Sequence, residues 1–190
     1  MTERSAPSPA SGDRSGDLAL LGGVVARDPV AVRRLLDEVA PIVHGYLFAR
    51  VGGDQGAAED LLQETLLEAV RSASTFRGDA SLSTWLCAIA RRRLARYYKS
   101  ERRHEATRSG LRLVAAHDAA EDEEIVRRDE VVRALGHLPA VHRQVLVLKY
   151  LDGLRVEEIA EELGRSRVQV QSLLQRARDG LRAELEPHDG

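Results

Sequence analysis

Apolar residues recur at intervals of three and four along most of this chain, and the places where that rhythm fails divide it. Residues 1–16 are rich in Ser, Pro, Ala and Gly and have no periodic apolar positions, which predicts a disordered tail. Helical rhythm begins near Asp28, an acid placed to cap a helix that has Pro29 at its first position. Val32, Leu35, Leu36, Val39, Val43, Tyr46 and Leu47 carry it towards Gly52-Gly53, with Pro41 expected to kink or divide it. A helix over about residues 57–72 would bury Leu61, Leu62, Thr65, Leu66 and Ala69 and turn Asp60, Gln63, Glu64, Leu67 and Glu68 outwards. After a break at residues 74–80, Ser81 or Ser83 should cap a long helix running through Trp85, Leu86, Ile89, Leu94 and Tyr97 to about Arg103.

Over residues 104–124 the periodicity fades and acids accumulate, as in a tether between modules. Four more helices follow, at roughly residues 125–135, 140–150, 156–163 and 167–185, punctuated by Pro139, Gly153 and Gly164. Strand-like alternation of β-branched residues is nearly absent. The expected fold is therefore all-α, with two small helical domains at residues 17–103 and 125–186 joined by a flexible linker.

Composition changes this picture only through its distribution. The formal net charge of −2 does not suggest a nucleic-acid partner. Seven basic residues and one acid, however, lie between Arg91 and Arg103, while five acids and no base lie between Asp54 and Glu68. Charge sorted in this way points to different partners for different surfaces. The single Cys87 excludes an internal disulfide framework and fits a reducing cytoplasm. No apolar run approaches the roughly 18 residues of a membrane span, so no membrane insertion is expected.

The last two helices carry the sharpest chemistry. Gly164 makes a tight turn, Ser166 and Gln169 have the spacing of a capping box, and Val170, Leu174, Ala177, Leu181 and Leu185 form an apolar stripe. Arg167, Gln171, Gln175, Arg178 and Arg182 fall on the other side, where Arg and Gln suit bidentate contacts with guanine and adenine edges. A solvated helix in an ordinary bundle would share the polar face, but the turn and preceding helix favour a helix-turn-helix. The run LPAVHRQVLVLKYLDGLRVEEIAEELGRSRVQVQSLLQRARDGLR, from Leu138, resembles region 4 of sigma-70 family factors of the extracytoplasmic-function group. The resemblance implies reading of the −35 promoter element as duplex, through Arg165, Ser166, Arg167, Gln169, Gln171, Arg176 and Arg178. Relatives often carry Lys and Arg where this chain has Gln171 and Leu173, which implies a less basic recognition surface, and Arg155 replaces the usual capping Ser.

The segment AEDLLQETLLEAVRSASTFRGDASLSTWLCAIARRRLARYYKSERR is similar to region 2 of the same family. Its acidic face with an exposed leucine suits a basic protein surface. The resemblance implies docking of Asp60, Leu61, Gln63, Glu64 and Leu67 on the β′ clamp of core RNA polymerase, with the β flap meeting the C-terminal module. Arginines interleaved with Tyr97 and Tyr98 suit an opened strand, since positive charge follows phosphates and aromatic planes stack on unpaired bases. For the −10 element the resemblance implies Phe76, Arg77, Asp79 and Ser81, whose loop holds an extruded base, together with Arg92, Arg93 and Arg96. Relatives often have Asn at the position of Arg92. Trp85 lies on the apolar side, where core packing outweighs stacking. The acidic linker reads equally as a solvated tether and as a nucleic-acid mimic near the polymerase active centre.

No catalytic constellation is present. His44, His104, His117, His137, His142 and His188 are scattered, and there is no Gly-rich phosphate loop, nucleophile motif or cofactor signature. The expected protein is an alternative sigma factor, not an enzyme, with core RNA polymerase and promoter DNA as partners and an anti-sigma factor as a further one that many relatives have. The competing readings are a stand-alone helix-turn-helix regulator and a polymerase-binding adaptor.

Overall fold

A computed structural model describes residues 14–107 and 123–185. Among them every regular element is helical: α1 Arg14–Val25, α2 Pro29–Arg34, α3 Ala40–Arg50, α4 Gln55–Arg71, α5 Leu82–Thr107, α6 Glu123–His137, α7 Ala140–Leu146, α8 Val156–Leu163 and α9 Arg167–Leu185. Most of the expected linker lies outside the described residues. So does the expected disordered tail up to residue 13.

By packing, the described chain forms two compact units, residues 14–45 with 61–93, and residues 46–60 with 94–107 and 123–185. In the first unit, α1 begins at Arg14, inside the tail expected to be disordered to residue 16, and it buries Leu20, Leu21 and Val24. Gly22-Gly23 weakens its intrinsic helix propensity, yet a Cβ on Gly23 would stand only 2.7 Å from the Ala31 Cβ. That glycine permits the close crossing of α1 on α2, so tertiary packing stabilises a helix that local propensity does not specify. The Asp28 carboxylate accepts from the Val30 N–H at 3.0 Å and Pro29 follows, as expected of this helix start. A π-helical turn, Leu35–Val39, separates α2 from α3 just before Pro41. It divides the run where the missing proline N–H was expected to do so.

Leu82, Leu86, Ile89 and Ala90 of α5 form the apolar stripe of this first unit, with Leu61 and Ala69 of α4 also buried. Thr65, wholly buried, is satisfied by donating its hydroxyl to the Leu61 carbonyl at 2.7 Å. The α5 N-terminus is capped twice. The Ser81 hydroxyl accepts from the Thr84 N–H at 3.2 Å, and the Asp17 carboxylate of α1 accepts from the Leu82 N–H at 2.8 Å.

The second unit has an apolar centre built from Leu135, Leu138, Val145, Leu146, Leu148, Ile159, Val170, Leu173, Leu174 and Ala177. Around it lies a buried polar network that no sequence pattern announces. The Arg50 guanidinium meets the Asp152 carboxylate at 2.7 and 3.0 Å, donates to the Tyr46 carbonyl at 3.0 Å and covers the Tyr46 ring. Tyr98 donates its hydroxyl to the Arg50 carbonyl, and burial pushes its phenol pKa well above the usual range. Arg102 donates to the buried Gln144 at 3.1 Å, while Arg143, also buried, donates to the Gly136 carbonyl at 3.3 Å. Gly52, at φ 72°, brings its backbone so near Gly136 that a Cβ would lie 2.5 Å from the Gly136 Cα. A side chain there would have to displace backbone.

Candidate nucleic-acid and polymerase interfaces

The face of α4 follows from helical spacing. Leu61, Thr65 and Ala69 point inwards, and Asp60, Gln63, Glu64 and Leu67 are exposed. Leu61 must therefore be removed from the expected polymerase contacts: at 6% exposure it is a core residue that supports the face. Leu67, 51% exposed beside the acids, keeps the amphipathic character expected of a docking surface.

The loop before α5 and the helix itself divide the expected −10 residues. Arg77, Asp79, Arg92 and Arg96 are exposed. Phe76 is buried and packs its ring 5.1 Å from Trp85, so it shapes the loop from beneath. Trp85 is half-buried in this contact, consistent with its core reading. Gly78, at φ 71°, turns the loop in a left-handed conformation that a side chain would strain. Ser81 is engaged as the α5 cap. Arg93 also departs from expectation, because its guanidinium lies 2.7 Å from Glu68 and 3.6 Å from Glu64 on α4. It is 18% exposed and serves to fix α4 against α5. Farther along, Tyr97 is only partly covered, but Tyr98, expected beside it at the nucleic-acid face, continues the buried stripe instead.

In the C-terminal part, Gly164 ends α8 at φ 62° in the left-handed region. The expected capping box then starts α9: Ser166 N–H donates to Gln169 Oε1 at 2.8 Å, and Gln169 N–H donates to Ser166 Oγ at 3.2 Å. Val170, Leu173, Leu174 and Ala177 are buried, so Arg165, Arg167, Gln171, Arg176 and Arg178 remain exposed. Leu173 thus belongs to the core and not to the recognition surface expected to be less basic there; only Gln171 bears on that surface. Leu185, expected in the apolar stripe, is exposed at the last residue of α9.

Arg155 lacks the side-chain cap of a serine. Its N–H nevertheless donates to Glu158 at 2.7 Å, which fixes the start of α8 from the other side. Surface partners hold the α9 side chains in place: Arg167 pairs with Glu157 of α8, and Arg178 donates to Gln175 at 2.8 Å. Among residues that the sequence reading did not single out, Asp17 and Val168 matter most. Asp17 lies in a segment without sustained rhythm, and Val168 interrupts the polar face of α9.

The family model for Sigma-70 region 2 matches residues 32–104, and that for Sigma-70 region 4 matches residues 128–180. SigL of Mycobacterium tuberculosis, an ECF RNA polymerase sigma factor, is 31% identical over 173 residues, which cover 89% of this chain and 97% of that protein. The chain belongs to the ECF sigma factors. The ECF sigma factor BldN of Streptomyces coelicolor is 33% identical over 88% of this chain, which spans only 65% of BldN's length. SigC of M. tuberculosis is 34% identical over 72% of this chain and 74% of its own length. Among solved structures, the sigma factor RpoE of Bartonella quintana, in complex with the anti-sigma factor NepR, is 25% identical with a TM-score of 0.50, covering 82% of this chain and 96% of that one. As an ECF sigma factor, the protein directs RNA polymerase to promoters and starts transcription, and it is not an enzyme. No described helix of this sigma factor is long and apolar enough to cross a membrane.

Proposed function

We propose that the sigma factor divides promoter recognition between two modules, residues 17–103 and 125–186. In the first, Asp60, Gln63, Glu64 and Leu67 dock on the polymerase β′ clamp. Arg77 and Asp79, with Arg92 and Arg96, meet the opened −10 strand, and Ser81, Phe76 and Arg93 hold the loop and helix in shape. In the second, α9 lies in the major groove of the −35 duplex, with Arg165, Ser166, Arg167, Gln169, Gln171, Arg176 and Arg178 towards DNA.

The observation that carries this reading is the start of α9: a left-handed glycine turn, a reciprocal capping box, and a buried stripe that leaves Arg and Gln outwards. Binding energy alone performs the work. Extruding a base costs a few kcal/mol of unstacking, which contacts made only to the open strand must offset. The protein acts in the cytoplasm, and an anti-sigma factor, the class of partner in the B. quintana complex, is its expected regulator.

Run-off transcription from a fragmented genomic library, with core polymerase and with or without the protein, tests the whole reading. New start sites sharing a two-part upstream motif are expected. Duplex binding by the protein alone without new transcripts would instead indicate a stand-alone regulator.

A further inference from the structure

The outer face of α9 is polar except at one point. Val168, the second residue of the helix, is 74% exposed, more than any other large apolar residue described. Two residues of helix place it about 200° round the axis from the fully buried Val170, so it points almost directly away from the core. No packing requirement of the fold accounts for it there. Its polar neighbours are committed locally: the Arg167 guanidinium to Glu157, and the Gln169 side-chain oxygen to the Ser166 N–H. The first turn therefore presents a fixed, apolar, β-branched surface with little rotamer freedom to lose, framed by polar groups.

In the first turn of a recognition helix, side chains meet base edges in the major groove. The apolar group that the groove offers is the C5-methyl of thymine, which apolar side chains contact. We propose that Val168 is a specificity-determining residue that packs against one thymine methyl of the −35 duplex. This proposal rests on the reading of α9 as the −35 recognition helix. It assigns to an apolar side chain a part of the sequence readout that Arg and Gln cannot supply.

The test is a methyl scan with reconstituted holoenzyme on a promoter identified by run-off transcription. Each thymine of the −35 duplex, on either strand, is replaced in turn by deoxyuridine, which pairs identically but lacks the methyl. With the native protein, one such replacement should weaken binding about fourfold, the worth of one buried methyl-sized group. Val168→Ser should bind the native and that deoxyuridine promoter equally, whereas Val168→Thr, which keeps a methyl group, should retain the discrimination. Circular dichroism should show both variants folded, because the position is exposed.

A flat scan with the native protein, or one whose sensitive position is unchanged in Val168→Ser, overturns the proposal. Arg178→Ala and a promoter with a scrambled −35 element, run alongside, separate the two levels of failure. If Arg178→Ala loses −35 dependence while the methyl scan is flat, α9 remains the recognition helix and only the role of Val168 falls. If the scrambled element changes nothing for any protein, the recognition reading and the proposal fall together.

Discussion

Helices α5 and α9 have similar credentials in sequence, since both are rich in Arg and both read as nucleic-acid helices, but the structure uses their polar groups differently. On α5, Arg93 is tied to Glu68, Tyr98 is buried against the Arg50 carbonyl and Arg102 is bonded to Gln144. What remains outward is a narrower set, Arg92, Arg96, Lys99 and Arg103. On α9 the buried stripe is wholly apolar, and the basic groups stay at the surface, where Arg167 pairs with Glu157 and Arg178 donates to Gln175 and to the Tyr150 hydroxyl. A basic run is therefore not a count of DNA contacts. Where a helix is packed on more than one side, part of its charge is committed to the protein itself.

Substitutions on the two sides of this comparison should differ in size. The largest effect is expected at the buried network. Asp152→Ala would leave the Arg50 guanidinium, about nine-tenths buried, without its counter-ion. Urea titration should show a loss of about 3–5 kcal/mol. The equivalent cut beneath α9, Glu157→Ala, breaks a pair whose side chains are 66% and 45% exposed and should cost no more than about 1 kcal/mol. Equal losses from the two substitutions would erase the distinction drawn here.

Tyr98→Phe comes next, at about 1–2 kcal/mol, because it leaves a buried carbonyl short of a donor. Its pH dependence sharpens the point. Burial raises the folded phenol above its unfolded value near 10. Its contribution is therefore fully present below about pH 10 and is lost as pH rises beyond it, because the unfolded chain releases the proton first. Stability measured from pH 8 upward should fall above pH 10 in the native protein, and that part of the fall should be absent in Tyr98→Phe. Ser166→Ala should cost about 1 kcal/mol by thermal unfolding, the ordinary worth of an N-cap, since it removes one half of the α9 capping box. The smallest effect on stability is expected from Arg96→Ala, which should leave unfolding unchanged within about 0.5 kcal/mol yet weaken holoenzyme binding to the opened −10 strand.

Much of this was legible beforehand because helical periodicity and end signals are local. The starts at Asp28 and Ser166, the division before Pro41 and the turns at Gly153 and Gly164 all follow from residues a few positions apart. The same spacing also places two further side chains. Leu94 to Tyr98 continues the i, i+4 stripe of α5, and Val170, Leu173, Leu174 and Ala177 have the i, i+3, i+4, i+7 spacing of a buried face. By that spacing Tyr98 and Leu173, expected at nucleic-acid surfaces, belong to the core. Other features were not readable. The Arg50 and Asp152 pair spans 102 residues of sequence, and α1 depends on a glycine-mediated crossing with α2. Contacts of that kind belong to tertiary structure and leave no local pattern. The surface of α9 could be listed from sequence, but that Arg93 is committed to α4 could not.

The most direct test of the divided promoter reading is a two-by-two comparison of holoenzyme carrying native protein or Arg167→Ala, on a promoter with an intact or a scrambled −35 element, scored by initial transcription rate at limiting holoenzyme. The account predicts a loss of roughly tenfold from Arg167→Ala on the intact promoter, about the worth of one polar contact, and almost none on the scrambled one. Equal losses on both promoters would contradict it, because the arginine would then act without reference to the −35 sequence.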